Sequence, residues 1–106
     1  MSLAKTPPPP YYAVIFTSIK KRNIDGYYAL SDRMVELVQQ QKGFLGFESA
    51  NETIGITVSY WKDEASILAW KSNIEHQAAQ NKGIKQWYES YFLRVSKVER
   101  AYSFGL

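Results

Sequence analysis

Residues 54–82 read Ile54-Gly-Ile-Thr-Val-Ser-Tyr-Trp-Lys-Asp-Glu-Ala-Ser-Ile-Leu-Ala-Trp-Lys-Ser-Asn-Ile-Glu-His-Gln-Ala-Ala-Gln-Asn-Lys82. The stretch opens with strand chemistry: Ile54, Ile56, Val58 and Tyr60 alternate with Gly55, Thr57, Ser59 and Trp61, the period of a pleated strand. Asp63 then offers a helix N-cap, and Glu64 stands in the first turn, where an anion suits the helix dipole. Ile67, Leu68 and Trp70 follow at helical spacing. A core strand therefore runs straight into a helix. The segment carries two of the three tryptophans and the only histidine, His76, so the walls of any small-molecule pocket are expected here.

Working outward, strand one is expected at Tyr11–Ser18. Tyr12, Val14 and Phe16 fall on one face, and Tyr11, Ala13, Ile15 and Thr17 on the other. Both faces are largely apolar, which predicts a central strand covered on both sides. The first helix is expected over Asp25–Gln41, with Tyr27, Leu30, Met34, Leu37 and Val38 as its apolar stripe, Asp32, Arg33, Glu36 and Gln40 on the outside, and Lys42-Gly43 as its end. Strand two (Phe44–Asn51) and strand three (Ile54–Lys62) are close enough to form an antiparallel hairpin. Gly46 inside strand two predicts a bulge or a close backbone approach. The second helix is expected over Asp63–Gln80, with a break near Asn73. Gln86–Phe104 reads as one long last strand, overhanging the sheet toward a second subunit.

The order β-α-β-β-α-β predicts an α+β, ferredoxin-like domain over residues 11–106, an antiparallel sheet with both helices on one face. One helical layer leaves the other face bare although its residues are apolar, and a twofold partner sheet is the simplest cover, hence a homodimer. Residues 1–10 end in four prolines, which donate no backbone hydrogen bonds. They read as a disordered, proline-rich arm outside the fold.

Composition narrows the function classes. The chain has 106 residues, enough for one domain, and its aromatic content of 15% is high, with eight Tyr, five Phe and three Trp. Net charge is +3, and the only basic run, Lys20-Lys21-Arg22, sits at an expected turn. It reads as a solvated loop, so no nucleic-acid partner is expected. The absence of cysteine removes thiol chemistry and disulfides, and one histidine is too few for an all-protein transition-metal site. No apolar run reaches bilayer length, so no membrane partner and a cytoplasmic location are expected.

Gly43-Phe-Leu-Gly-Phe-Glu-Ser49, Gly55-Ile-Thr-Val-Ser-Tyr-Trp61, Ala69-Trp70, Glu75-His-Gln-Ala-Ala-Gln80 and Trp87-Tyr88 together resemble the antibiotic biosynthesis monooxygenase (ABM) family over about Tyr11–Phe104. The resemblance implies a dimeric α+β barrel with a pocket between sheet and helices in each subunit. It also implies either a cofactor-independent oxidation of an aromatic molecule by O2 or, in another branch, haem degradation. The haem branch places a Trp on the second helix, a His ten residues later and an Asn on strand one. Trp70 matches the first, but Gln80 stands ten residues on and strand one has no Asn, so haem degradation is not the expected activity.

A cofactor-free oxygenase needs an aromatic-walled pocket, donors that stabilise a substrate anion, and a base. Tyr60, Trp61, Trp70, Trp87 and Tyr88 are candidates for the walls, against the plainer reading that each is core or interface packing. His76 is the candidate base, against a surface or capping histidine. Arg94 is a candidate for binding an oxyanion, against an ion pair with Glu89 or Glu99. Asn73 and Gln80 are candidate donors. No metal and no cofactor are expected. The function read from these residues is a small cofactor-independent monooxygenase of an aromatic or quinol-like molecule. The alternative is a non-catalytic dimeric module binding a small hydrophobic ligand.

Overall fold

Strands Tyr11–Lys20 (β1), Phe44–Asn51 (β2), Gly55–Trp61 (β3) and Tyr88–Val98 (β4) form a four-stranded sheet in the order β2-β3-β1-β4. All three neighbouring pairs are antiparallel. Helices Tyr27–Gln39 (α1) and Glu64–Asn81 (α2) make the crossovers after β1 and β3. The expected ferredoxin-like α+β fold is what the chain adopts. The structure is a computed structural model that describes residues 3–81 and 84–106, and the side chains of residues 3–75 and 86–106.

Register sorts the sheet into two faces, because residues paired across strands share a face. Trp61 pairs with Tyr12 and Phe44, and its indole meets Trp70 of α2, which marks this as the helix face. The next rows on that face are Val14, Ser59, Phe47 and Val95, then Phe16, Thr57, Ser49 and Leu93. The open face carries the alternate rows: Gly46, Tyr60, Ala13 and Ser96; then Glu48, Val58, Ile15 and Arg94; then Ala50, Ile56, Thr17 and Phe92.

Both readings of Gly46 hold. The β2–β3 register shifts between Phe44 and Gly46, leaving Leu45 as an extra residue, and a Cβ on Gly46 would come 3.2 Å from the Cβ of Ala4. Gly46 has φ 145, a conformation that L side chains rarely adopt.

α1 is shorter than expected. Gly26 precedes it in the left-handed conformation with φ 80, and no side chain caps it. Its stripe is as read: Tyr27, Leu30, Met34 and Leu37 are half-buried, Val38 is buried, and Asp32, Arg33, Glu36 and Gln40 face solvent. α2 continues past Asn73 without the expected break. Its inner stripe runs through Ile67, Trp70 and Ile74, whereas Leu68 is 63% exposed and lies off it. Asp63 caps α2 as expected, its Oδ1 accepting the Ser66 backbone N–H at 2.8 Å. Gly43, φ 86, sits tight against this first turn, where a Cβ would collide with Ser66.

The last strand corrects the sequence reading. It spans Tyr88–Val98, not residues 86–104; Trp87 belongs to a single 3-10 turn, Ile84–Trp87, and residues 99–106 have no regular structure. The β1–β4 ladder ends at Tyr11 opposite Val98, because the residues before Tyr11 are prolines without N–H groups. Beyond Val98 the strand has nothing to pair with, and it does not overhang as a strand. Residues 3–10, read as an arm outside the fold, also carry no regular structure, but they are anchored on the open face: Ala4 N–H donates to Glu48 Oε2 and Thr6 Oγ1 to the Tyr11 hydroxyl, each at 3.0 Å.

Hydrogen bonds from the Ser66 side chain and then the Ser66 backbone hold the Asp63 carboxyl below its ordinary range. A carboxyl lowered in the folded state contributes its full stability above its unfolded value of about 3.9, and that contribution is lost as pH falls through the folded value. Asp63→Ala is therefore expected to lower the melting temperature at pH 7, by an amount that shrinks as the pH is taken below about 4. Circular-dichroism melts of both proteins across that range check it, with Asp63→Asn, which keeps a capping oxygen, close to the parent at neutral pH.

Candidate functional site

The helix face stacks two tryptophans where β3 runs into α2. Trp61 ends β3 with 0% of its surface exposed. Its Nε1–H would be a costly orphan at that depth, but it donates to Ser59 Oγ at 2.9 Å. Trp70, two turns into α2, stacks on it with ring centroids 6.3 Å apart and an interplanar angle of 29°. Phe44 meets Trp61 edge-on at 5.3 Å and Phe47 follows Phe44 at 6.4 Å. Asn73 lies three residues after Trp70, hence on the same side of the helix, and both are half-buried. Trp61 has no free surface, so it supports Trp70. Trp70 and Asn73 both keep part of their surface open.

The other expected site residues separate from this pair. Tyr60 and Trp61 are adjacent in a strand, so the pleat turns them to opposite faces. Tyr60 lies on the open face, with Tyr11 edge-on at 5.9 Å and its hydroxyl donating to Glu48 Oε1 at 2.6 Å. Burial first, then the hydrogen bond to Glu48 and the charge of that carboxylate, push the Tyr60 phenol up to about 12. It is a neutral donor near pH 7. Arg94 is exposed on the same open face, its guanidinium 3.9 Å from the centre of the Phe92 ring. Among the described residues the ion pair present is Arg33–Glu36, and Arg94 packs on Phe92 rather than pairing with Glu89 or Glu99.

Trp87 sits at the far end of β1. Lys21 N–H donates to its carbonyl at 2.8 Å, and its indole Nε1–H donates to the Asp25 carbonyl at 2.9 Å. Tyr12, opposite Trp61, is nine residues up the strand from Lys21, a separation of roughly 30 Å. Trp87 and Trp61 therefore do not share a wall. Trp87 joins a second aromatic group instead: it meets Tyr27 of α1 at 5.7 Å, and Phe16 meets Tyr88 at 5.5 Å and Tyr91 at 5.4 Å. Lys20 Nζ stands 5.0 Å from the Tyr27 ring centre. Burial and a hydrogen bond with Tyr27 raise the Tyr88 phenol above its ordinary range. His76 and Gln80 lie in α2, and their side chains fall outside the described residues.

An open depression of about 410 Å³ lies beside edge strand β2, lined by Leu3, Ala4, Lys5, Gln39, Phe44, Leu45, Gly46 and Phe47. None of the expected site residues lines it. Among the described residues no group of three or more His, Cys, Asp or Glu converges as a metal donor set. Sequence reading missed Glu48, whose carboxylate joins Tyr60 and the arm. A lone acid in the middle of an apolar strand was the signal available for it.

Residues 10–82 match the family described as antibiotic biosynthesis monooxygenase. The uncharacterized protein YqjZ of Bacillus subtilis (strain 168) is 55% identical over 100 residues, covering 92% of this chain and 88% of that protein. Jasmonate monooxygenase ABM of Pyricularia oryzae is 30% identical over 92 residues, covering 82% of this chain but 43% of its own longer length. Among solved structures, SnoaB, a cofactor-independent oxygenase from Streptomyces nogalater, superposes with a TM-score of 0.69 at 9% identity, covering 88% of this chain and 97% of that one. At that identity the likeness is one of fold.

Trp61→Ala empties a fully buried site beneath Trp70 and is expected to cost about 3–5 kcal/mol of stability. Denaturant unfolding measures it. Trp70→Ala, at a half-buried position, is expected to cost less. Equal costs for the two would show that Trp70 is as much a core residue as Trp61.

Proposed function

The chain belongs to the antibiotic biosynthesis monooxygenase family, and from that premise we propose that it is a cofactor-independent monooxygenase of an aromatic or quinol-like small molecule. The observation that carries the reading is the Trp61–Trp70 stack with Asn73 one turn on, an aromatic wall beside an amide donor on the helix face. In such a reaction the substrate supplies the electrons. A ring methylene activated by a neighbouring phenol loses a proton, and the resulting anion passes electrons to O2. One oxygen atom becomes the new carbonyl, the other leaves as water, and the two hydrogens of the methylene balance that water.

The chain's own residues would then bind, orient and move a proton. Trp70 offers a flat apolar surface for the ring system. Asn73 can donate to the developing oxyanion, with Gln80 as a second donor. His76, three residues after Asn73 on α2, is the proposed base that takes the methylene proton, histidine being the side chain type suited to proton transfer near neutral pH. Tyr60, Trp87 and Arg94 have no part in this arrangement, given their positions. The protein is proposed to work as a homodimer paired through the open sheet face, where Ile56 and Phe92 are 44% and 59% exposed. An obligate pair would bury about 1,500 Å² or more. No described helix is long and apolar enough to cross a membrane.

Oxygen uptake with a hydroxylated anthrone tests the reading. His76→Ala is expected to lower turnover by roughly 10²-fold with an unchanged melting temperature. A histidine that is only structural would instead lower stability by about 1 kcal/mol and leave turnover and binding alone. Ligand binding without oxygen uptake by the parent protein would replace the monooxygenase with a non-catalytic binding module.

A further inference from the structure

Tyr11 and Ala13 are both buried although they stand on the sheet face that has no helices. The N-terminal arm lies over that end. Ala4 N–H donates to Glu48 Oε2 at 3.0 Å, and Thr6 Oγ1 donates to the Tyr11 hydroxyl at 3.0 Å. The other oxygen of Glu48 takes the Tyr60 hydroxyl at 2.6 Å. One carboxylate thus ties the arm to both β2 and β3. Gly46 leaves room for this crossing, since a Cβ there would come 3.2 Å from that of Ala4. Four prolines follow Thr6. They restrict the free arm, which lowers the entropy lost on docking, and without N–H groups they cannot add to a sheet edge as a strand.

The opposite end of the open face is bare. Ile56 and Phe92 are exposed there, and Ile15 and Val58 are half-buried in the adjoining row. That row runs from Glu48 on edge strand β2 to Arg94 on edge strand β4, with Val58 and Ile15 between them. A twofold axis along the strands would lay the row of one copy over that of another in reverse, so that Arg94 of each faces the Glu48 edge of the other. Such a row is self-complementary in charge and apolar at its centre, which is what an isologous contact requires.

We propose that residues 3–10 form a strap that divides the open sheet face, closing its Tyr11 end and confining a second copy of the chain to its Ile56–Phe92 end. The confining role rests on the pairing proposed above; the docking of the strap does not. Docking withdraws Tyr11, Ala13 and Tyr60 from the face, which limits the apolar area through which copies can associate in other registers.

Trypsin cleavage after Lys5 reads the strap in the full chain, with cleavage after Lys21 as an internal reference. Glu48→Ala is expected to speed Lys5 cleavage by about tenfold relative to Lys21, because it removes the anchoring acceptor. Ala4→Glu, which alters only the arm and sets a like charge against Glu48, is expected to do the same without lowering the melting temperature appreciably. An unchanged ratio in Ala4→Glu would overturn the strap, whether or not Glu48→Ala folds. Sedimentation reads the confinement. Ala4→Glu is expected to add species larger than the dimer, and Phe92→Asp to weaken pairing by about tenfold or more while leaving the Lys5 ratio unchanged. If Ala4→Glu frees the arm but sediments like the parent, the confining role fails. If Phe92→Asp pairs like the parent, the face-to-face pairing fails and the docked strap remains.

Discussion

A four-stranded sheet has two faces, and this chain has one layer of helices. Nearly every feature of the structure answers that constraint. β1 lies between β3 and β4 and is apolar on both sides, so each side needs a cover. α1 and α2 supply one. On the other side the chain folds its own N-terminus back over Tyr11, Ala13 and Tyr60, and leaves Ile56 and Phe92 in the open. The bare part is apolar and flanked by one acid and one base, the character of a surface that meets another protein.

On the covered side, strand and helix are joined with little slack. Trp61 closes β3, Asp63 caps α2 two residues later, and Gly43 fits against the first turn of that helix because it has no side chain. The Gly43 carbonyl also accepts the Lys62 N–H at 2.8 Å. These contacts fix where α2 leaves the sheet, and so place Trp70 on Trp61. An aromatic surface held in this way is pre-organised: a flat ligand laid on Trp70 would not have to order it first. The same rigidity separates the two aromatic groups, because each is tied to its own end of β1. A reading that gathers all three tryptophans into one pocket ignores the length of the strand between them.

Two ionisable groups show how placement changes chemistry. Tyr60 and Tyr88 are both phenols held neutral by burial, helped for Tyr60 by the Glu48 carboxylate on the open face and for Tyr88, on β4, by the Tyr27 phenol of α1. Neither is a base near neutral pH. The base proposed for the reaction, His76, lies instead in α2. Asn73 owes its position to the unbroken helix: with the expected break, its alignment with Trp70 would have been lost.

Local pattern was enough for the elements and their order. The alternation in β1 and β3, the stripe of α1, the Asp63 cap and the Gly46 bulge each depend on neighbours in sequence, where the periods of strand and helix act directly. Six elements in the order β-α-β-β-α-β then left few topologies. The stacking of Trp70 on Trp61 could be anticipated only as a shared segment. Tertiary structure decided the rest. The last strand stops at Val98 because its partner strand starts at Tyr11, eighty-odd residues earlier in the chain, after prolines that cannot extend a ladder. Leu68 faces solvent because α2 is rotated to bring Trp70 inward. Glu48 acquires two partners from segments far from it in sequence, Ala4 and Tyr60. The sequence determined which faces were apolar; which segment covers each face depends on long-range pairing, and no local period encodes that.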